Sequence, residues 1–302
     1  MSEPSRLVPL NIGRSVCVPC VAGAIVAIIF IVPFASRATK ADSQQYFVVA
    51  RVAASSAGLS SRDIVVRVEN VSVPALAIRA SPEIPRNIAI VVDAGPDQAK
   101  VLAKEKDLAI ALINELDSPA TSFTIVQAGT SPRAEATTLD RSAAIHHIRE
   151  IAADCGEKTN VPIYDAIGSA IRQISAAPGL RIVIFIGEGN DGGSRLGYPE
   201  LRSLAESNHI AFFSALVADH SLRGPKAILR YGWNLRELTS DTAGIFLENT
   251  KTQMATHRLT ENVRDLRLIA FEMPPRQSGR YKIFVKSPQG KRLPAQNAIV
   301  TP

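Results

Sequence analysis

The sequence predicts an α/β protein: a doubly wound, mostly parallel sheet flanked by β segments at both ends, with an apolar helix in front. Three observations carry that expectation. Ile88-Ala-Ile-Val-Val92, which follows Pro82 and Pro85, is a continuous apolar run of the kind that forms a strand buried on both faces, and so implies a parallel sheet. Residues 96–116 then bring Val101, Leu102, Leu108, Leu112, Ile113 and Leu116 near one face of a helix. Strand and helix patterns keep alternating afterwards without an internal repeat, which calls for right-handed crossovers.

Before the first buried strand, residues 46–52, 64–68 and 71–78 read as strands, the last two separated by a turn at Glu69-Asn70. After the first helix come a strand at 122–128, a short edge strand at 134–139 and helices at 142–153 and 162–174. Strands at 181–186, 210–217 and 244–247 complete the sheet, with helices near 198–207, 225–238 and 253–265. Beyond Leu266 the pattern returns to strands at 268–271, 280–285 and a last segment ending at Val300. The expected regions are a tail and apolar segment at 1–38, a β-rich segment at 39–85, the α/β domain at 86–255, and a closing helix and β segment at 256–302.

Residues 15–36 carry no charge and are long enough to span a bilayer. Arg6 and Arg14 precede them, and the small residues Ala35, Ser36 and Ala38 follow, so the segment reads either as an uncleaved anchor or as a signal cleaved near Ala38. The run exceeds the usual apolar region of about 7–15 residues in a cleaved signal, which favours the anchor. Either way the chain from Thr39 onward is expected outside the inner membrane, in the cell envelope or secreted, because Arg6 and Arg14 favour keeping the short tail inside. Cys17 and Cys20 fall within the apolar run, so the exported body holds Cys155 alone and no internal disulfide.

Composition narrows the function classes. With 46% hydrophobic and 21% charged residues the chain is an ordinary globular one. The 34 basic residues outnumber 28 acidic ones but are scattered, and aromatics make up 5%, so a nucleic-acid partner is not expected. Without residues 1–38 the body keeps 31 basic and 27 acidic residues and is nearly balanced.

In an open α/β sheet the residues just beyond the carboxyl ends of the strands form the ligand crevice. Here they are Val91-Val-Asp93-Ala-Gly95-Pro-Asp97, Asn160-Val161-Pro-Ile-Tyr164-Asp165-Ala-Ile167 and Ile186-Gly-Glu188-Gly-Asn-Asp191-Gly-Gly-Ser194-Arg195. In this order they resemble the three loops of a von Willebrand factor A domain: Asp-x-Ser-x-Ser, Gly-Thr-x-Leu-Tyr-Asp-Ala-Ile and Thr-Asp-Gly-x-Asp-x-x-Ser-Arg. Leu59-Ser-Ser-Arg-Asp63-Ile-Val-Val66 and Gly279-Arg-Tyr-Lys-Ile-Phe-Val285 resemble the flanks of the exported bacterial proteins called VWFA-related, best known from Acidobacteria. The resemblance covers roughly residues 45–295 and implies a protein-interaction module, adhesive or scaffold-like, and not an enzyme.

It also implies a divalent-cation site built from a carboxylate and two hydroxyls of the first loop, a threonine of the second and an aspartate of the third. Such oxygen ligands suit Mg²⁺, Ca²⁺ or Mn²⁺. Asp93 matches the first carboxylate, but Gly95 and Asp97 replace both serines, Val161 stands for the threonine and Glu188 for the aspartate. The favoured expectation is a degenerate site that needs no cofactor, with Asp93 serving loop structure, Gly95-Pro96-Asp97 capping the first helix, and a protein partner meeting the surface around Gly95, Val161, Asp191 and Ser194. The alternative is an altered cation site of Asp93, Asp97 and Glu188 with Thr159, since three carboxylates without a cation repel one another.

A third reading takes Gly187-Glu-Gly189-Asn-Asp-Gly192 as the GxGxxG loop of a nucleotide-binding enzyme, with Glu188 and the loop after Gly192 arguing against it. The five histidines show no zinc-ligand pairing and no GxSxG elbow occurs. Trp233 is expected in the core of the 225–238 helix.

Overall fold

The computed structural model describes residues 45–52, 60–68, 71–134, 137–155, 160–217, 232–248, 250–272, 279–281, 283–286, 292–295 and 298–300. The apolar segment at 15–36 and Thr159 lie outside these. Among the described residues no helix is long and apolar enough to cross a membrane.

The α/β unit begins with β4 (Arg86–Asp93), all of whose residues are buried. Its apolar side chains alternate between two cores. Ile88, Ile90 and Val92 face one, with α1 (Leu102–Leu116), α2 (Arg141–Glu150) and α6 (Thr252–Arg264). Ala89 and Val91 face the other, with α3 (Ile163–Ile174), α4 (Tyr198–Ser207) and α5 (Trp233–Asp241). A strand sandwiched this way cannot afford polar positions, which is why the run at 88–92 is unbroken. The remaining strands are β5 (Thr121–Ala128), β6 (Arg133–Ala134), β7 (Leu180–Gly187), β8 (Ile210–Leu216) and β9 (Phe246–Glu248), in the order β6-β5-β4-β7-β8-β9. All pair in parallel except β6, a two-residue antiparallel edge.

Segments from both sides of the α/β unit combine in one further sheet. β1 (Gln45–Arg51), β2 (Val65–Val68), β3 (Val71–Ala80), β10 (Leu266–Glu272), β12 (Ile283–Lys286) and β13 (Arg292–Leu293) run antiparallel in the order β1-β10-β3-β2-β12-β13. Val66, Val68, Ile269, Phe271, Ile283 and Val285 form its own core. The stretch 280–285, expected as one strand, divides: β11 (Gly279–Tyr281) pairs with β14 (Ala298–Val300), while β12 pairs with β2 and β13.

Two expectations change in detail. The helix expected from Pro96 starts as a single 3-10 turn, Pro96–Gln98, behind Gly95, and the α-helix opens only at Leu102. Residue 255, expected to end the α/β domain, falls inside α6, whose Ala255, Leu259 and Val263 pack in the first core.

Candidate functional site

β4 and β7 are adjacent parallel strands whose following helices lie on opposite faces: α1 follows β4 into the first core and α4 follows β7 into the second. The chain diverges there and leaves a crevice. Asp93, Gly95, Asp97, Gln98, Val161, Glu188 and Asn190 line it, around a space of about 10 Å³, room for one water-sized group. Three residues of the sequence-predicted cation set, Asp93, Asp97 and Glu188, do meet.

Asp93 ends β4 with 3% of its surface exposed. Its Oδ1 accepts the Gly95 N–H at 3.1 Å and its Oδ2 the Glu188 N–H at 3.4 Å, so one carboxylate ties the loops after β4 and β7 together. Burial raises the carboxyl from 3.8 to about 7, against the pull of those two donors, and the charges of Glu188 and Asp97 push it further up. Gly187 permits this approach, because a Cβ there would stand 2.2 Å from that of Asp93. Glu188 is 6% exposed and accepts the Gln98 side-chain N–H at 3.1 Å.

Two residues join the site that the sequence reading missed. Gln98 is 3% exposed, and its Oε1 is buried without a hydrogen-bond partner. Glu105 on α1 is fully buried, with neither carboxylate oxygen hydrogen-bonded. Burial lifts its pKa well above the ordinary 4.5, and the charges of Asp93 and Glu188 add to the effect. The signal for Glu105 was in the sequence: it falls between Leu102 and Leu108 on the apolar stripe of the helix, where a charge is out of place.

Two of the positions without a hydroxyl, Gly95 and Val161, are physically linked. Gly95 and Val161 are buried rather than surface residues, and a Cβ at position 95 would stand 2.5 Å from Val161 Cγ2. The valine methyl fills the room that a serine side chain needs. Gly95→Ala is therefore expected to destabilise the chain by about 1–3 kcal/mol, and less in a Val161→Ala background. Denaturant unfolding of the two singles and the double gives the coupling; strictly additive effects would reject this packing account.

Asp191 and Ser194 serve the backbone. Asp191 Oδ1 accepts the Tyr164 N–H at 3.0 Å and the Ser194 hydroxyl, whose oxygen accepts the Asp165 N–H at 3.2 Å. Asp165 in turn accepts the N–H groups of Arg195 and Leu196 at 3.0 and 2.9 Å. The loop after β7 is thereby clamped on the first turn of α3, satisfying donors that a helix start leaves open. In the glycine-rich stretch, α4 begins only at Tyr198, so no helix N-terminus follows Gly192 directly to receive a pyrophosphate.

The donors present do not match the ion the resemblance implies. Gly95 and Val161 offer no side-chain oxygen, and among the described residues no three His, Cys, Asp or Glu side chains stand close enough together to hold a metal ion. Trp233, expected in the core, is 60% exposed: it opens α5, its Nε1–H donates to Glu237 at 3.2 Å, and Leu235 and Leu238 take the buried positions. Its neighbour Asn234 donates to the Tyr164 hydroxyl at 2.8 Å, which places this helix start beside the α3 end of the crevice.

No protein-family model matches the sequence, and no curated protein sequence matches it either. Among solved structures, the chain is similar to an aerotolerance-related membrane protein from Bacteroides fragilis, at 15% identity and a TM-score of 0.48, over 59% of this chain and 98% of that one. It is similar to a von Willebrand factor type A protein from Catenulispora acidiphila, at 11% identity and a TM-score of 0.49, over 85% and 75%. A third likeness is to the conserved protein BatB from Bacteroides thetaiotaomicron, at 17% identity and a TM-score of 0.46, over 59% and 96%.

Proposed function

We propose that this chain is an exported protein-interaction module of the von Willebrand factor A kind, which meets its partner at the β4–β7 crevice without a metal ion and without catalysing a reaction. The observation that carries this reading is the packing of Gly95 against Val161, which occupies with hydrocarbon the room where hydroxyl ligands would reach a cation. The short loops of the crevice are held by backbone hydrogen bonds to Asp93, Asp165 and Asp191, so the face is rigid before a partner arrives, which lowers the ordering cost of association. Exposed Trp233 next to Asn234 adds an aromatic anchor of the type that dominates binding energy at interfaces. Export rests on the uncharged run at 15–36 behind Arg6 and Arg14.

The test is the unfolding midpoint of the full chain in Mg²⁺, Ca²⁺ or Mn²⁺ against chelator. A cation held by the native state at about 100 times its Kd would add about 2.7 kcal/mol. The expected result is the same midpoint in all four conditions. A rise with any of the ions that disappears in Asp93→Ala would overturn the metal-free reading.

A further inference from the structure

The outer face of the antiparallel sheet breaks the alternation that its inner face sets up. Inward side chains build a core of their own, so outward ones should be polar. Along β1, β2 and β3 the outward positions are instead Phe47, Val65, Pro74, Leu76 and Ala77, all exposed. Strand register brings them together: Phe47 stands opposite Ala270, Ala270 opposite Ala77, and Val65 opposite Pro74. The register shifts at Ala270 and Phe271, which leaves Leu76 without an opposite residue on β10 and turns it outward beside Ala77. Val49 and Leu266 of the same face are covered by the first core of the α/β unit, but Phe47, Val65 and Leu76 keep 44%, 42% and 46% of their surface exposed. Single exposed apolar side chains are ordinary, whereas a cluster of them marks an interaction surface.

We propose that this face lies on the surface of the bilayer that residues 15–36 cross, with Phe47, Val65 and Leu76 entering the layer of anionic lipid headgroups. This rests on the export reading above and takes that segment as an uncleaved anchor. Reach and charge select a membrane over a protein. Residues 37–44 separate the uncharged run from β1 and can span at most about 30 Å, so Phe47, near the start of β1, stays close to the bilayer. A tether that short holds the face at high effective concentration, where a weak contact suffices. Arg79 follows Ala77 on the same face, Lys286 stands opposite Val65 and Arg67 opposite Phe284, against Glu272 as the acid of that face among the described side chains. Arg37 and Lys40 outnumber Asp42 in the tether. Lysine and arginine lay their stems along apolar surface and hold their heads among lipid phosphates, so an apolar patch with a basic rim fits an anionic surface. A second copy of this chain would bring the same basic residues against one another.

The experiment uses the full chain reconstituted in vesicles of phosphatidylcholine, with or without phosphatidylglycerol. Trp233→Phe removes the single tryptophan, and Phe47→Trp or Leu76→Trp then reports quenching by lipids brominated along the acyl chain. Leu139→Trp, at a position 68% exposed in the α/β unit, is the control. Both sheet reporters are expected to be quenched about twofold or more above the control when phosphatidylglycerol is present. The excess is expected to fall by about half or more in Arg79→Glu/Lys286→Glu, and at about 1 M salt, where the screening length is about 3 Å. Quenching equal to the control, in protein that stays with the vesicles through an alkaline wash, would overturn the proposal and leave the anchor standing. Protein that washes off would overturn the anchor and the proposal together. Reporter shielding that rises with protein concentration and not with phosphatidylglycerol would assign the face to a second copy and overturn the proposal as well. The metal-free crevice is decided separately, by the melting comparison.

Discussion

Asp93→Asn is expected to flatten the pH dependence of stability between pH 3.8 and about 7, and to leave the chain more stable than wild type above that range by about 4 kcal/mol. At low pH the carboxyl is protonated in both the folded and the unfolded chain and contributes no difference. As pH rises past 3.8 the unfolded chain releases its proton while the buried group keeps it, so each further unit costs the folded state stability. Above about 7 both forms are ionised and the loss is complete. The asparagine carbonyl can still accept the Gly95 N–H, but its NH2 cannot accept the Glu188 N–H that Oδ2 now accepts, and the loss of that long bond offsets part of the gain. Denaturant unfolding of both proteins across that window measures the effect; parallel pH profiles would show that Asp93 is not the group responsible.

Glu105→Met is expected to stabilise the protein at neutral pH by about 1–3 kcal/mol, the cost of a buried polar group without a partner. Methionine has nearly the length of glutamate and is flexible enough to fit its position between Leu102, Leu108 and Ala109. Glu105 also carries a raised pKa, so its contribution falls with rising pH in the same sense as that of Asp93, starting from about pH 4.5. The part of the remaining slope that belongs to Glu105 is expected to disappear in the double variant. Because Asp93 acts on Glu105 through its charge, the two substitutions are expected to be less than additive. A Glu105→Met protein less stable than wild type at neutral pH would mean that the carboxyl has a stabilising partner.

Much of the fold was legible from local pattern. The run at 88–92, the stripe of α1 and the exact span of α4 follow from hydrophobic spacing and from turn residues, which act over a few neighbours. The crevice was legible through motif order, since Asp93 is the last residue of one buried strand and Glu188 follows another. What failed to show was non-local. Trp233 looked like core because the helix it was assigned to had no visible start; beginning at residue 233 itself, α5 turns Leu235 and Leu238 inward and leaves the indole outside. The division of 280–285 into two strands depends on which partners, β14 or β2, each half meets, and strand pairing leaves little trace in a short segment.

By itself the sequence determined the alternation of strands and helices, the doubly wound class and the absence of hydroxyl side chains at positions 95, 97 and 161, because these are properties of residue type and of spacing along the chain. Only the tertiary structure decided that the segments on either side of the α/β unit share one antiparallel sheet, that Val161 closes on Gly95, that Gln98 reaches Glu188 and that Glu105 is buried. The physical reason is distance along the chain. Gln98 and Glu188 stand 90 positions apart and touch at 3.1 Å only because β4 and β7 lie side by side in register, and it is that adjacency which removes water from the Asp93 and Glu188 carboxyls.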